Sequence, residues 1–168
     1  RQLKSYARKG GDAFEPVDLR ACLSSALAMM EPQLKQRVVQ ITRTLPRQPV
    51  RVMADRLRLE QVIINLLRNA LDATKDVPHP KIDLMLTVGD VATLAVRDNG
   101  HGIGEIGSIF EPFYTTKKSG EGVGLGLAIS SGIVGDLGGR LTAHNADGGG
   151  AVFEMQLPFL GTEAKAAE

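Results

Sequence analysis

"RLRLEQVIINLLRNALDATK", residues 56–75, carries Leu59, Val62, Ile63, Leu66, Leu67 and Ala70 at spacings of three and four. That recurrence marks a helix with one face in a core, and Asp55 just before it can cap the first turn. Asn65 and Asn69 stand four apart, so both carboxamides fall on one helical face, with Asp72 nearly in line three residues later. Polar groups flanked by so much aliphatic surface need partners. They either satisfy nearby main chain as buried asparagines, or they offer carboxamide oxygens to a hard cation such as Mg²⁺, which takes few protein ligands beside water and phosphate oxygens.

Outward from this helix, the chain divides into short elements. "RQLKSYARK" sets Leu3, Tyr6 and Ala7 on one face and stops at Gly10-Gly11, like the C-terminal end of a longer helix. Asp18 can cap a helix over about 19–37, with Leu19, Leu23, Ala26, Leu27 and Met30 as its buried stripe and Pro32 as a source of a kink. Residues 38–45 and 50–54 alternate as strands around the Pro46–Pro49 turn. "KIDLMLTVG" and "VATLAVRDN" read as two more strands joined at Gly89-Asp90. A long loop follows over about 101–122, then a helix over 123–137 ending at Gly138-Gly139, then the strands "RLTAHN" and "AVFEMQL". The strands come in hairpin-like pairs between helices, which predicts an α+β, two-layer sandwich with a mixed sheet rather than a parallel βαβ sheet. The expected division is a stub at 1–11, one domain over 12–160 and a frayed tail at 161–168.

Composition sets limits. The 168 residues suit a single domain with a proper core. Twenty lysines and arginines against 19 acidic residues give no broad field for nucleic acid or an anionic membrane, so any anion site must be local. Cys22 is the single cysteine and reads as a small buried hydrophobe in a reducing compartment. No apolar run reaches the ~20 residues of a membrane span.

A local anion site is offered by "GEGVGLGLAIS", residues 120–130, where glycines at every second position run into a helix. They let main-chain N–H groups converge on one point, and the helix adds free N–H groups and its positive dipole end. That is a phosphate cradle, although a flexible loop before a glycine-tolerant helix reads the same way. The spacing is neither GxGxxG nor a Walker loop. "RDNGHGIG", residues 97–104, ends a strand on Asp98 before Gly100, Gly102 and Gly104. It is either a plain turn or a carboxylate set to accept from an exocyclic amino group while the glycines let a flat ring approach.

Taken in order, Asn-x-x-x-Asn-Ala, "DNGHGI", "FEPFYTTK" (residues 110–117) and "GEGVGLGLAI" resemble the N, G1, F and G2 boxes of sensor histidine kinase catalytic domains. The likeness covers about Asp18 to Pro158, and "YARK", "PVDLR" and "GIVGDLGG" are most similar to the C4-dicarboxylate transport sensor type. The resemblance implies the ATP-binding sandwich shared with gyrase, heat-shock chaperone and mismatch-repair ATPases, with ATP and Mg²⁺ between the N-box helix and a lid.

On that mapping Asp98 takes the adenine N6 protons, with Gly100, Gly102 and Ile103 in the base-side wall. Asn69 and Asn65 hold Mg²⁺, with Asp72 beside them. Gly122, Val123, Gly124, Leu125, Gly126 and Leu127 cradle the phosphates. Lys117 and Lys118 either reach the β- and γ-phosphates or are solvated; Phe110, Phe113 and Tyr114 pin the lid by apolar contact. The expected catalytic set is Asn65, Asn69 and Lys117. In the related ATPases a glutamate stands where this chain has Asn65, and an amide cannot take a proton from water at neutral pH. The γ-phosphoryl is then kept for another acceptor rather than for water. Glu60 lies about 140° around the helix from Asn65 and reads as structural.

None of His79, His101 or His144 stands in a His-Glu or His-Asp helix motif, so the resemblance puts the acceptor histidine on helices outside these residues, in a homodimeric full-length protein that passes the phosphoryl to a response regulator. His79, between two prolines, reads as surface, His144 as structural, and His101 as a possible ligand contact. Two positions depart from the family pattern: Ala151 stands where many members carry threonine, and Asp72 where some carry a cation. The implied setting is a cytoplasmic domain of a membrane sensor. Two other functions stay open at this point: an ATP-driven clamp that hydrolyses ATP, and an ATP-sensing module without chemistry.

Overall fold

A computed structural model of the protein describes residues 13–104, 109–110 and 126–161. Among these residues the order is β1 (Phe14–Asp18), α1 (Leu19–Gln36), β2 (Gln40–Thr44), β3 (Arg51–Asp55), α2 (Arg56–Ala73), β4 (Lys81–Val88), β5 (Val91–Asp98), α3 (Gly126–Asp136), β6 (Arg140–Asn145) and β7 (Ala151–Pro158). Five strands form one mixed sheet in the order β2-β4-β5-β7-β6, with β2 parallel to β4 and the other pairs antiparallel. In β4, Ile82, Leu84 and Leu86 are buried while Lys81, Asp83 and Met85 are exposed, so helices cover one face only. The same alternation in β5 buries Ala92, Leu94, Val96 and, at its end, Asp98. The result is an α+β two-layer sandwich.

The helix starts follow their capping residues. Asp55 Oδ1 accepts from the N–H groups of Leu57 at 3.1 Å and Arg58 at 3.4 Å, and Leu59, Ile63, Leu66 and Leu67 of α2 then enter the core. Asp18 Oδ1 accepts from the N–H groups of Arg20 at 3.1 Å and Val50 at 3.0 Å, and its Oδ2 pairs with the Arg20 guanidinium at 2.9 Å. Burial acts to raise this carboxyl's pKa, but those hydrogen bonds outweigh it and leave the pKa below the ordinary value. Its contribution to stability is therefore present above about pH 4 and lost as acid protonates the folded state.

The hairpin expected over 38–54 does not form. β2 joins the large sheet beside β4, whereas β3 pairs antiparallel with β1 in a separate two-stranded sheet, Val17 opposite Val52. The connection carries Pro46 and Pro49, and Arg20 Nη1 holds the Arg47 carbonyl at 2.6 Å, fastening it to the start of α1. β1 itself leaves little mark in the sequence: only Val17 of its five residues is buried, and Pro16 interrupts it. Helix α1 runs through Pro32. Gly161, placed in the tail by the sequence, bridges Arg51.

The C-terminus of α1 holds a strained residue. Val39 N–H donates to the Leu34 carbonyl and Val38 N–H to the Lys35 carbonyl, both at 3.0 Å, the paired bonds of a Schellman closure. Val38 occupies the left-handed position of that closure at φ 53°, where glycine is the usual occupant, and is 79% exposed. A β-branched side chain costs about 1–2 kcal/mol there. Val38→Gly is expected to raise the unfolding free energy by about 1 kcal/mol, seen as a higher urea midpoint at unchanged slope. A lower midpoint would mean that the valine's packing outweighs its backbone strain.

Candidate active site

The amide face of α2 and the glycine-led start of α3 come together. Asn65 Nδ2 donates to Ser130 Oγ at 3.0 Å, and Ser130 is fully buried about one turn into α3. Asn65 Oδ1 accepts a longer, exposed bond from Gln61 Nε2 at 3.2 Å. Asn69 lies one turn further along α2, half-buried, and its carboxamide makes no hydrogen bond among the described residues. Among the described residues, Asn65 is engaged in joining helices while Asn69 has no such bond. Asp72 is half-buried on the same helix and has an interaction of its own. Arg68 is exposed, and Glu60 pairs with Arg56 at 3.1 Å, consistent with a structural role.

The loop after β5 closes the C-terminal end of α2. Asp98 is 3% exposed. Its Oδ1 accepts from Gly100 N–H at 2.8 Å and from Ala151 N–H at 3.4 Å, which leaves Oδ2 free of described partners. Burial is the largest influence on this carboxyl and raises its pKa, outweighing the two main-chain donors and the nearby His101, all of which favour the anion. A buried acid at a strand end, with one oxygen held and the other unclaimed, is suited to bind a donor.

Close main-chain contacts fix this loop. A side chain at Gly100 would collide with the Ala73 carbonyl, and one at Gly150 with the Asp98 carbonyl. His101 N–H donates to the Ala73 carbonyl at 3.3 Å, so the loop sits on the last turn of α2, just beyond Asn69. Gly102 has φ +84°, and Ile103 beside it is half-buried. The exposed His101 ring folds back on its own segment, Nδ1 lying 2.7 Å from the Gly102 carbonyl. His79 and His144 are exposed as well.

Gly126 is the first residue of α3 among the described residues, none of which, outside its own helix, comes within 4 Å of a methyl group built on it. Leu127 beside it is half-buried. The cradle residues Gly122, Val123, Gly124 and Leu125, the lysines Lys117 and Lys118, and Phe113 and Tyr114 lie outside the described residues. Phe110 is described, and its ring meets Phe153 edge-on at 6.4 Å, an apolar anchor.

Two features of the site escape sequence reading. Ser130 lies in an apolar stretch without a motif. Asn145 bonds to the main chain of Ile103, 42 residues away, through 2.7 and 3.1 Å contacts. Neither residue carries a local pattern that announces its partner.

The amide face of α2 thus meets α3 at Ser130, and the Asp98 loop packs on the C-terminal end of α2. The residues present would suit a magnesium-bound adenine nucleotide: the Asp98 carboxylate could accept from a base amino group, and the α2 carboxamides could serve a hard cation beside phosphate oxygens. Among the described residues, no helix is long and apolar enough to cross a membrane.

Comparison with known proteins shows the family and the fold. Residues 54–161 match the family model of histidine kinase-, DNA gyrase B- and HSP90-like ATPases. The chain is 40% identical over 159 residues to the C4-dicarboxylate transport sensor protein DctB of Pseudomonas aeruginosa, covering 92% of this chain and 26% of that protein. It therefore spans about a quarter of that relative's length. The solved catalytic domain of histidine kinase ThkA superposes with a TM-score of 0.77 at 30% identity, covering 86% of this chain and 95% of that one. ThkA in complex with the response regulator protein TrrA matches with a TM-score of 0.74 at 28% identity, over 86% of this chain and 41% of that one. The chain belongs to the histidine kinase-, DNA gyrase B- and HSP90-like ATPase family, as the catalytic, ATP-binding domain of a sensor histidine kinase.

Proposed function

We propose that residues 12–160 bind ATP with Mg²⁺ at this site and donate the γ-phosphoryl group to a histidine on helices outside these residues, to which 1–11 lead. The observation that carries the reading is Asp98, buried, with its Oδ2 free of described partners, on a loop packed against the end of the helix that bears Asn69. Asp98 orients the base, Asn69 offers its Oδ1 to the cation, and Gly122 to Leu127 hold the phosphates by main chain. Asn65 has its nitrogen tied to Ser130, and among the described residues its oxygen accepts from the exposed Gln61 amide, which a cation would readily displace. Bound Mg²⁺ would supply charge compensation between the β- and γ-phosphoryl groups. Lys117, with Lys118, is the lid cation of the proposal.

Efficient hydrolysis is disfavoured because no carboxylate stands at Asn65 to activate water. A response regulator takes the phosphoryl next, a reading supported by the ThkA–TrrA complex. The setting proposed is the cytoplasmic side of a membrane sensor that dimerises through its helical hairpins. The test is incubation with γ-labelled ATP and Mg²⁺, with and without a separate polypeptide carrying the acceptor helices of a related kinase. Label on protein only when acceptor is present is the expected result. Free phosphate without acceptor would instead support an ATPase, and neither would support a sensing module.

A further inference from the structure

We propose that Asn145 is a positioning residue that sets the base-side wall of the site, an inference that rests on reading it as a nucleotide site. Asn145 is the last residue of β6, opposite Ala151 on β7. Its Oδ1 accepts from Ile103 N–H at 2.7 Å and its Nδ2 donates to the Ile103 carbonyl at 3.1 Å. The main-chain partners fix which end of the amide faces which, because an N–H can only donate and a carbonyl only accept. The pair behaves as one rung of a β-ladder supplied by a side chain.

The loop from Asp98 to Ile103 is tied at several points among the described residues: Asn99 bonds to His79 and Lys81, and Ala151 N–H reaches Asp98 Oδ1. Gly100 N–H reaches Asp98 Oδ1, His101 N–H reaches the Ala73 carbonyl, and Ile103 is held on both of its polar atoms by Asn145. The Asn145 support is the one that holds Ile103 among the described residues. It lies just after Gly102, whose φ of +84° turns the chain and whose missing side chain leaves room for the Asn145 oxygen.

Asn145 is itself well seated. The turn that follows it closes through Ala146 N–H to the Gly150 carbonyl at 2.9 Å, and Gly150 packs directly on the Asp98 carbonyl. Ala151 N–H then reaches Asp98 Oδ1 at 3.4 Å. The carboxylate proposed to read the base and the amide that holds Ile103 are thus parts of one connected unit. Losing the amide frees Ile103 while leaving Asp98 in place, so the cost falls on the base end of the ligand and not on the phosphate end.

Asn145→Ala is tested by calorimetric binding of ADP and of inorganic tripolyphosphate, each with Mg²⁺, and by thermal unfolding without ligand. Loss of this loop support is expected to weaken ADP five- to tenfold while tripolyphosphate binding stays within twofold of the parent. Asn145→Asp keeps the acceptor for Ile103 N–H and loses the donor; it is expected to weaken ADP two- to fourfold, and it serves if the alanine variant does not fold. Unchanged ADP affinity in the variant measured overturns the proposal, and so does an equal loss for both ligands, which would reflect general destabilisation. A parent protein that binds tripolyphosphate but not ADP overturns it too, as there is then no base seat to hold. If the parent binds neither ligand, the nucleotide reading itself fails and takes this one with it.

Discussion

Replacing Asp98 with asparagine is expected to weaken ATP and ADP binding by at least about a hundredfold while leaving the free domain as stable as the parent, or more so, at neutral pH. The two effects have a common origin. Oδ1 is held by the Gly100 and Ala151 N–H groups, so an asparagine must keep its oxygen there and turn its nitrogen to the position of Oδ2. That nitrogen would present N–H groups to the adenine amino group, which also donates. A charge-assisted bond worth about 1.5–3 kcal/mol is replaced by repulsion between donors, and each 1.4 kcal/mol is tenfold in affinity.

The stability side follows from linkage. Burial raises the Asp98 pKa above its ordinary value, so the folded state holds this proton more tightly than the unfolded chain does. The favourable contribution is complete below about pH 4 and is lost as pH rises through the folded pKa. At neutral pH the parent therefore carries the cost of a buried anion, which a neutral amide removes. Urea midpoints at pH 5 and pH 8 should fall less with rising pH in the variant than in the parent. Nucleotide affinity within threefold of the parent would remove Asp98 from base recognition.

The second large effect is expected at Asn69. Its carboxamide is half-buried and unbonded among the described residues, and a carboxamide oxygen is a good ligand for a hard cation. Asn69→Ala should abolish the difference between ATP affinities measured with Mg²⁺ and with a chelator, and should lower phosphoryl transfer to acceptor helices by two to three orders of magnitude, the scale of several kcal/mol of charge stabilisation. Thermal stability should change little, because no described hydrogen bond is lost. Asn65→Ala offers the contrast: it breaks the bond to Ser130 and should lower stability by about 1 kcal/mol. If Asn69→Ala keeps its full Mg²⁺ dependence, another group holds the cation.

Much of the sandwich can be read from short-range pattern. The three-and-four spacing of α2 and the two-residue alternation of β4 and β5 each state which side meets the core, and the capping aspartates 18 and 55 state where helices begin. Partnership between distant strands leaves a weaker trace. β2 and β3 alternate as adjacent hairpin strands would, yet which sheet each joins depends on β1 and β4, and nothing in residues 38–54 encodes that. β1 buries one residue in five, too few for a periodic signal.

The site shows the same division. Asp98, Asn65 and Asn69 stand out because polar residues interrupt apolar periodicity. Their separate duties do not, since the Asn65 bond is made to a serine 65 residues away. Asn145 is invisible for a related reason: it answers main-chain atoms, which are the same whatever residue carries them.

Gly100 and Gly150 bring main chain against main chain at Ala73 and Asp98, so the turn after β5 is packed between the end of α2 and the β6–β7 connection. An incoming purine would thus meet a seat already in its final shape, and little conformational entropy would be surrendered at that end of the ligand. The heat-capacity change on binding adenosine alone would then measure dehydration of the two contacting surfaces, uncontaminated by refolding of the receptor.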